Sequence, residues 1–117
     1  REKAVGFAKK ALERAPGDAL ALLCLSALYG QGQKIDEVVK LLAPHEALMQ
    51  RDVRIAHNYF EALFQLRDMP KITALLNKLA TSQVREVKQF AIERSRAISQ
   101  MLQQQQAQLQ QSAQQKA

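Results

Sequence analysis

The sequence predicts an all-α fold arranged as an array of antiparallel helix hairpins, and three observations predict it. Apolar residues recur at three- and four-residue spacing through most of the first 102 positions, the period of helices with one buried face. Ala, Leu and Gln dominate, and four Gly and three Pro are too few for a chain of many strands and turns. The pattern also repeats: Ala4-Val5-Phe7-Ala8 maps onto Val38-Val39-Leu41-Leu42 with a shift of 34, and Leu28-Tyr29 onto Leu63-Phe64 with a shift of 35.

A first helix is predicted over 3–15, with Ala4, Phe7, Ala8, Ala11 and Leu12 on one stripe, and Pro16-Gly17 stops it. Asp18 caps the next helix, about 19–29, which is apolar almost all round through Leu20, Leu22, Leu23, Leu25 and Leu28 and so needs cover on two sides. Gly30 and Gly32 are expected to end it, because glycine accepts the left-handed conformation of a helix terminus. A helix from 35 or 36 to 42 follows, with Val38, Val39, Leu41 and Leu42 inward, and then Pro44 and a loop or displaced short helix through Asp52. Ile55, Tyr59, Phe60, Leu63 and Phe64 mark a further helix; Arg67 to Pro70 turn the chain, and Ile72, Leu75, Leu76 and Leu79 line the return. Thr81 or Ser82 caps a last helix whose apolar face is Val84, Val87, Ala91, Ile98 and Leu102 and whose opposite face carries Arg85, Glu86, Lys88, Glu93 and Arg96. The Gln-rich stretch 103–117 has too few apolar side chains to pack and is expected to be an exposed helix or disordered.

The segment Leu22-x2-Leu25-Ser26-x2-Tyr29, followed by Val38-x3-Leu42, has the spacing of a tetratricopeptide unit, and Ala4-x3-Ala8-x2-Ala11-x4-Pro16 reads as the second half of one. Over roughly 4–80 the chain resembles the tetratricopeptide repeat family. The unit over 51–80 departs most, with Glu61 where a small residue is usual and Thr73 where Ala is. The resemblance implies a right-handed α-solenoid over 1–80, a capping helix over 81–102 with one polar side, and a tail over 103–117. Because the first readable segment is already half a repeat, the chain is expected to come from a longer protein.

In this family the first helix of each hairpin lines a concave groove that holds a peptide or partner helix. By position, the resemblance implies a groove of Leu20, Leu23, Cys24 and Ala27, continued by Ile55, Asn58, Tyr59 and Ala62; the alternative is that several of these residues meet an adjacent helix of a longer chain. Apart from Asn58, the Lys, Arg and Asn set with which one subgroup clamps a carboxyl terminus is missing. An apolar groove suits an amphipathic helix or a hydrophobic segment. Arg51, Arg54 and Lys71 form an expected basic rim that steers an acidic partner.

The net charge of +6 is scattered, with Lys9-Lys10 the one adjacent basic pair, whereas nucleic-acid binders cluster their cations. Chemistry is not expected. The lone Cys24 in an apolar helix reads as a buried or half-buried small hydrophobe, excludes an internal disulfide and leans towards a reducing, cytoplasmic setting. His45 and His57 lack a third ligand at metal-binding spacing, Ser26 has no base in its local pattern, and Gly30-x-Gly32 lacks the rest of a phosphate loop. No cofactor, metal, small-molecule substrate or membrane insertion is expected. The apolar stripe from Val84 to Leu109 is interrupted, so capping is favoured over dimerisation through the last helix. The function expected is protein–protein interaction as an adaptor, scaffold or assembly factor. The alternatives are a basic helical surface binding nucleic acid and an architectural spacer.

Overall fold

The computed structural model describes residues 2–115, and it is all-helical. The helices are α1 (Glu2–Arg14), α2 (Ala19–Gln31), α3 (Ile35–Leu42), a 3-10 turn over Ala43–His45, α4 (Glu46–Met49), α5 (Val53–Gln65), α6 (Met69–Leu79) and α7 (Arg85–Gln115). Three of the starts carry an aspartate cap. Asp18 accepts from the amides of Leu20 and Ala21 at 3.0 and 3.2 Å, Asp52 from Arg54 at 3.0 Å, and Asp68 from Lys71 at 3.3 Å. Ser82 lies just ahead of α7: its hydroxyl accepts from Val84 N at 3.0 Å, one residue before the helix, and donates to Gln50 O at 2.7 Å, which ties this junction to the end of α4.

The turns differ from expectation in one respect. Gly30 lies inside α2, and Gly32 has an ordinary φ of −82°, so neither glycine supplies the left-handed residue. Gln33 does, at φ 58°, and Arg67 does the same after α5 at φ 56°. After each, the chain closes the same way. Lys34 N donates to Tyr29 O at 2.8 Å and Asp68 N to Leu63 O at 3.1 Å, satisfying carbonyls that a helix end otherwise leaves bare. Both pairs are 34 residues apart, as are the capping residues Asp18 and Asp52 and the 13-residue helices they start.

The stretch after α3 is the displaced short helix. Pro44, which brings no amide donor, sits in the 3-10 turn, and α4 then buries Met49 completely. Gln50 Nε2 donates to Lys78 O at 2.9 Å and Lys78 Nζ to Glu46 Oε2 at 2.8 Å, so α4 docks on the end of α6.

The core runs the length of the packed region. Leu22, Val38, Leu42, Met49, Ile55, Phe60, Leu63, Ile72, Leu76, Leu79 and Val87 form one cluster, each contributing about 1.5–3 kcal/mol of burial. α2 packs on α1, α3 and α5; α5 packs also on α3, α4, α6 and α7; and α6 packs on α7. These neighbours cover Ala21, Leu22, Leu25 and Ser26 of α2, while Leu20, Cys24 and Ala27 stay exposed. The radius of gyration is 17.2 Å, against about 13 Å for a compact domain of this length, and the extents are 63 × 34 × 17 Å. Much of the elongation is α7, whose side chains from Leu102 to Ser112 are exposed along a continuous helix. Phe64 and Leu102, expected on inward stripes, are about two-fifths exposed.

Candidate functional site

Two helices with unequal neighbours create the most apolar open surface. α1 is covered on one side by α2, with Ala8 buried and Ala11 and Leu12 half-buried; Phe7, on the predicted apolar stripe, is 72% exposed. On α2, Leu22, Leu25 and Ser26 are buried, while Leu20 is 67% exposed and Cys24 and Ala27 are open to solvent. Between them lies a trough of about 640 Å³ lined by Phe7, Ala8, Ala11, Leu20, Ala21 and Cys24, with Asp18 as its one charged wall residue. Its floor is Ala8 and Ala21, and its walls are Phe7 and Leu20.

Of the residues expected to line a groove, Leu20, Cys24 and Ala27 border this trough, and Leu23 is half-buried against the core. Cys24 is therefore an exposed thiol and not a core residue. On α5 the expectation is corrected. Ile55 is fully buried, and Tyr59 and Ala62 nearly so, which removes them from reach of a partner. Burial also pushes the Tyr59 phenol above its usual pKa, helped by the carboxylates of Glu46 and Asp68. The physical reason is register. The residues of α5 that stand 34 positions after Leu20, Leu23, Cys24 and Ala27 are Arg54, His57, Asn58 and Glu61, and these are exposed or half-buried. One helical position is 100°, enough to turn an open face into a core face. Asn58 is the expected residue that does lie on this row, and its amide donates to Ser26 Oγ at 3.0 Å, which itself donates to Leu23 O at 3.1 Å.

The expected basic rim is largely engaged. Arg54 forms two bonds to Asp52, at 3.1 and 2.9 Å, and this pairing, the first cause, holds the Asp52 carboxyl below its usual pKa. Lys71 lies 3.6 Å from Asp68, and Arg51 is exposed. These exposed pairs give little net energy.

A second cluster was not singled out from the sequence. The Arg94 guanidinium lies 5.6 Å from the Phe60 ring centre and 5.3 Å from that of Phe90, the two rings meeting edge to face at 5.7 Å. His57 also meets Phe90 edge-on at 6.1 Å. The Val87-x2-Phe90-Ala91-x2-Arg94 spacing was the available signal, and it fastens α7 to α5.

Among the described residues no group of three or more His, Cys, Asp or Glu is placed to hold a metal, and no helix is long and apolar enough to cross a membrane. No family model, curated protein or solved structure matches this chain.

Proposed function

We propose that this chain is a tetratricopeptide-like, right-handed solenoid segment that works as a protein–protein interaction module. The observation that carries the reading is the open apolar trough of α1 and α2, with Phe7 and Leu20 held in water at 72% and 67% exposure. Large apolar side chains grouped on a surface cost free energy in water, and covering them is favourable. The recurrence of caps, left-handed turn residues and helix lengths at 34 positions supports the repeat architecture. The terminal helix α7, with one face against α5 and α6 and the other polar, suits the end of such an array.

On this reading binding energy comes from a few apolar anchors, and the scattered cations assist encounter. The experiment compares capture of partner proteins by the wild-type chain and by Leu20→Glu, with helical circular dichroism as the check on folding. The reading expects capture to be lost and the dichroism kept. Retained capture by Leu20→Glu, or affinity for nucleic acid that falls steeply with salt, would favour the other readings instead.

A further inference from the structure

We propose that the cleft between α5 and α7 binds a small apolar molecule carrying one carboxylate, and that Arg94 holds the carboxylate. The cleft has a volume of about 230 Å³ and shares no lining residue with the α1–α2 trough, so a ligand there is separate from the partner proposed above. Its α5 wall is the stacked ring pair of Phe60 and Phe64, 5.9 Å apart. Its α7 wall is Ala97, Ile98 and Met101, and Arg94 and Glu61 are its charged members.

The chain contains this cleft twice. A smaller one, about 150 Å³, lies between α2 and α5. A shift of 34 carries its Ser26, Ala27 and Gly30 onto Phe60, Glu61 and Phe64. A shift of 36 carries its other wall, Asn58, Glu61, Ala62 and Gln65, onto Arg94, Ala97, Ile98 and Met101. Ala27 and Gln65 are exposed, so no helix of the chain covers the first cleft, and the second lies on the same open side of the array. The two differ at one matched pair, which points to the ligand. In the first, Asn58 donates to Ser26 Oγ at 3.0 Å. In the second, those positions hold Arg94 and Phe60, and an aromatic ring stands where the hydroxyl acceptor was.

Arg94 therefore has its place without its acceptor. The faces of Phe60 and Phe90 attract its charge but offer no oxygen to its N–H groups. Among the described residues it makes no ion pair, and its Nε is buried with no acceptor. A half-buried guanidinium left in that state is costly, and a carboxylate supplies two oxygens at the spacing of its planar fork. Glu61 sets the ligand's charge. It lines the cleft without pairing with Arg94, and its carboxylate repels a dianion such as phosphate more than a single negative charge. The remaining walls are aromatic and aliphatic, which suits a hydrocarbon body. That body is short, because the volume falls below the roughly 300 Å³ at which pockets for drug-sized molecules begin.

The three methionines give the readout, since Met101 lines the cleft, Met49 is buried in the core and Met69 lies outside it. The full 117-residue chain with methyl-labelled methionine is titrated by NMR with isocaproate, isocaproamide and N-acetylleucine. Isocaproate is expected to shift Met101 saturably and to leave Met49 in place. Isocaproamide, the same shape without the charge, should bind at least about tenfold more weakly, as should isocaproate to Arg94→Met. Ala97→Glu, at an exposed position three residues from Arg94, should weaken isocaproate similarly by supplying a competing carboxylate. Glu61→Gln should tighten it. Circular dichroism checks each fold; if Arg94→Met is unfolded, the amide and Ala97→Glu decide. Equal binding of acid and amide, or unchanged affinity in a folded Arg94→Met, overturns recognition by Arg94. Binding to Glu61→Gln but not to the wild type shows that Glu61 itself takes the guanidinium, and overturns the proposal. Tighter binding of N-acetylleucine than of isocaproate makes the ligand the carboxyl end of a protein and overturns the free acid. A Met101 signal unmoved by all three probes leaves no site.

Discussion

Gln33 and Arg67 adopt the same left-handed backbone, φ 58° and 56°, at positions 34 residues apart, each one residue before the next helix-capping position. Neither side chain suits that conformation, since a Cβ there meets the carbonyl oxygen at a cost of about 1–2 kcal/mol. Gln33→Gly and Arg67→Gly should therefore each stabilise the chain, by about 0.5–1 kcal/mol once the greater freedom of unfolded glycine is subtracted. Urea unfolding with circular dichroism checks this, and a lower midpoint for either variant would mean that its side chain makes a compensating contact.

Gly30 presents the opposite case. It lies within α2, and a Cβ built there meets nothing within 4 Å. Gly30→Ala should stabilise by about 0.5–1 kcal/mol through helix propensity alone. A destabilised variant would show that α2 ends earlier than Gln31.

Asp52 links a cap to an acid-sensitive pair. Its folded pKa lies below the ordinary 3.8, chiefly through the side-chain bond from Arg54. A depressed carboxyl stabilises the fold above its unfolded pKa and loses that contribution as pH falls through the folded value. Asp52→Ala should cost about 1 kcal/mol at neutral pH. The gap between variant and wild type should narrow below 3.8, measured as unfolding midpoints against pH. A gap independent of pH would mean that the amide bond of the cap works without the charge.

Ile55 and Leu23 separate core from surface. Ile55→Ala opens a cavity beneath α2 and should cost about 2–5 kcal/mol, visible in thermal unfolding. Leu23→Glu, half-buried beside the core, should lower the melting temperature, whereas Leu20→Glu should leave it nearly unchanged. Equal losses at the two sites would mean that Leu20 is covered in solution.

Cys24 supplies a direct probe of the trough. Its thiol is exposed and should react with a maleimide at the rate of an accessible cysteine in the native protein. A thiol that labels only after unfolding would mean that the trough is covered in solution.

The helices, their order and most of their ends were legible in the residues. Pro16-Gly17, Asp18 and the 3.6-residue stripes act locally, so a one-dimensional reading finds them. The groove expected along the α2 and α5 faces is not the trough, which lies between α1 and α2. Leu20, Cys24 and Ala27 were expected on an open face and are open, but Ile55, Tyr59 and Ala62 were expected beside them and are buried. Stripes on α5 are apolar on more than one side, and nothing local says which side meets α2. Phe7 shares the predicted apolar stripe with Ala4 and Ala11 yet is exposed, because among the described residues no helix covers α1 on that side.

What the amino-acid order determined alone is therefore the set of helices and a recurrence of 34 or 35 residues, because caps, breakers and periodicity are short-range properties. That 34 is the shift shared by caps and turns came from the structure. Which apolar faces are buried, where the lone thiol points and where a trough lies were decided only in three dimensions. Burial depends on neighbours, and a rotation of one residue about a helix axis exchanges a face that touches water for one that does not.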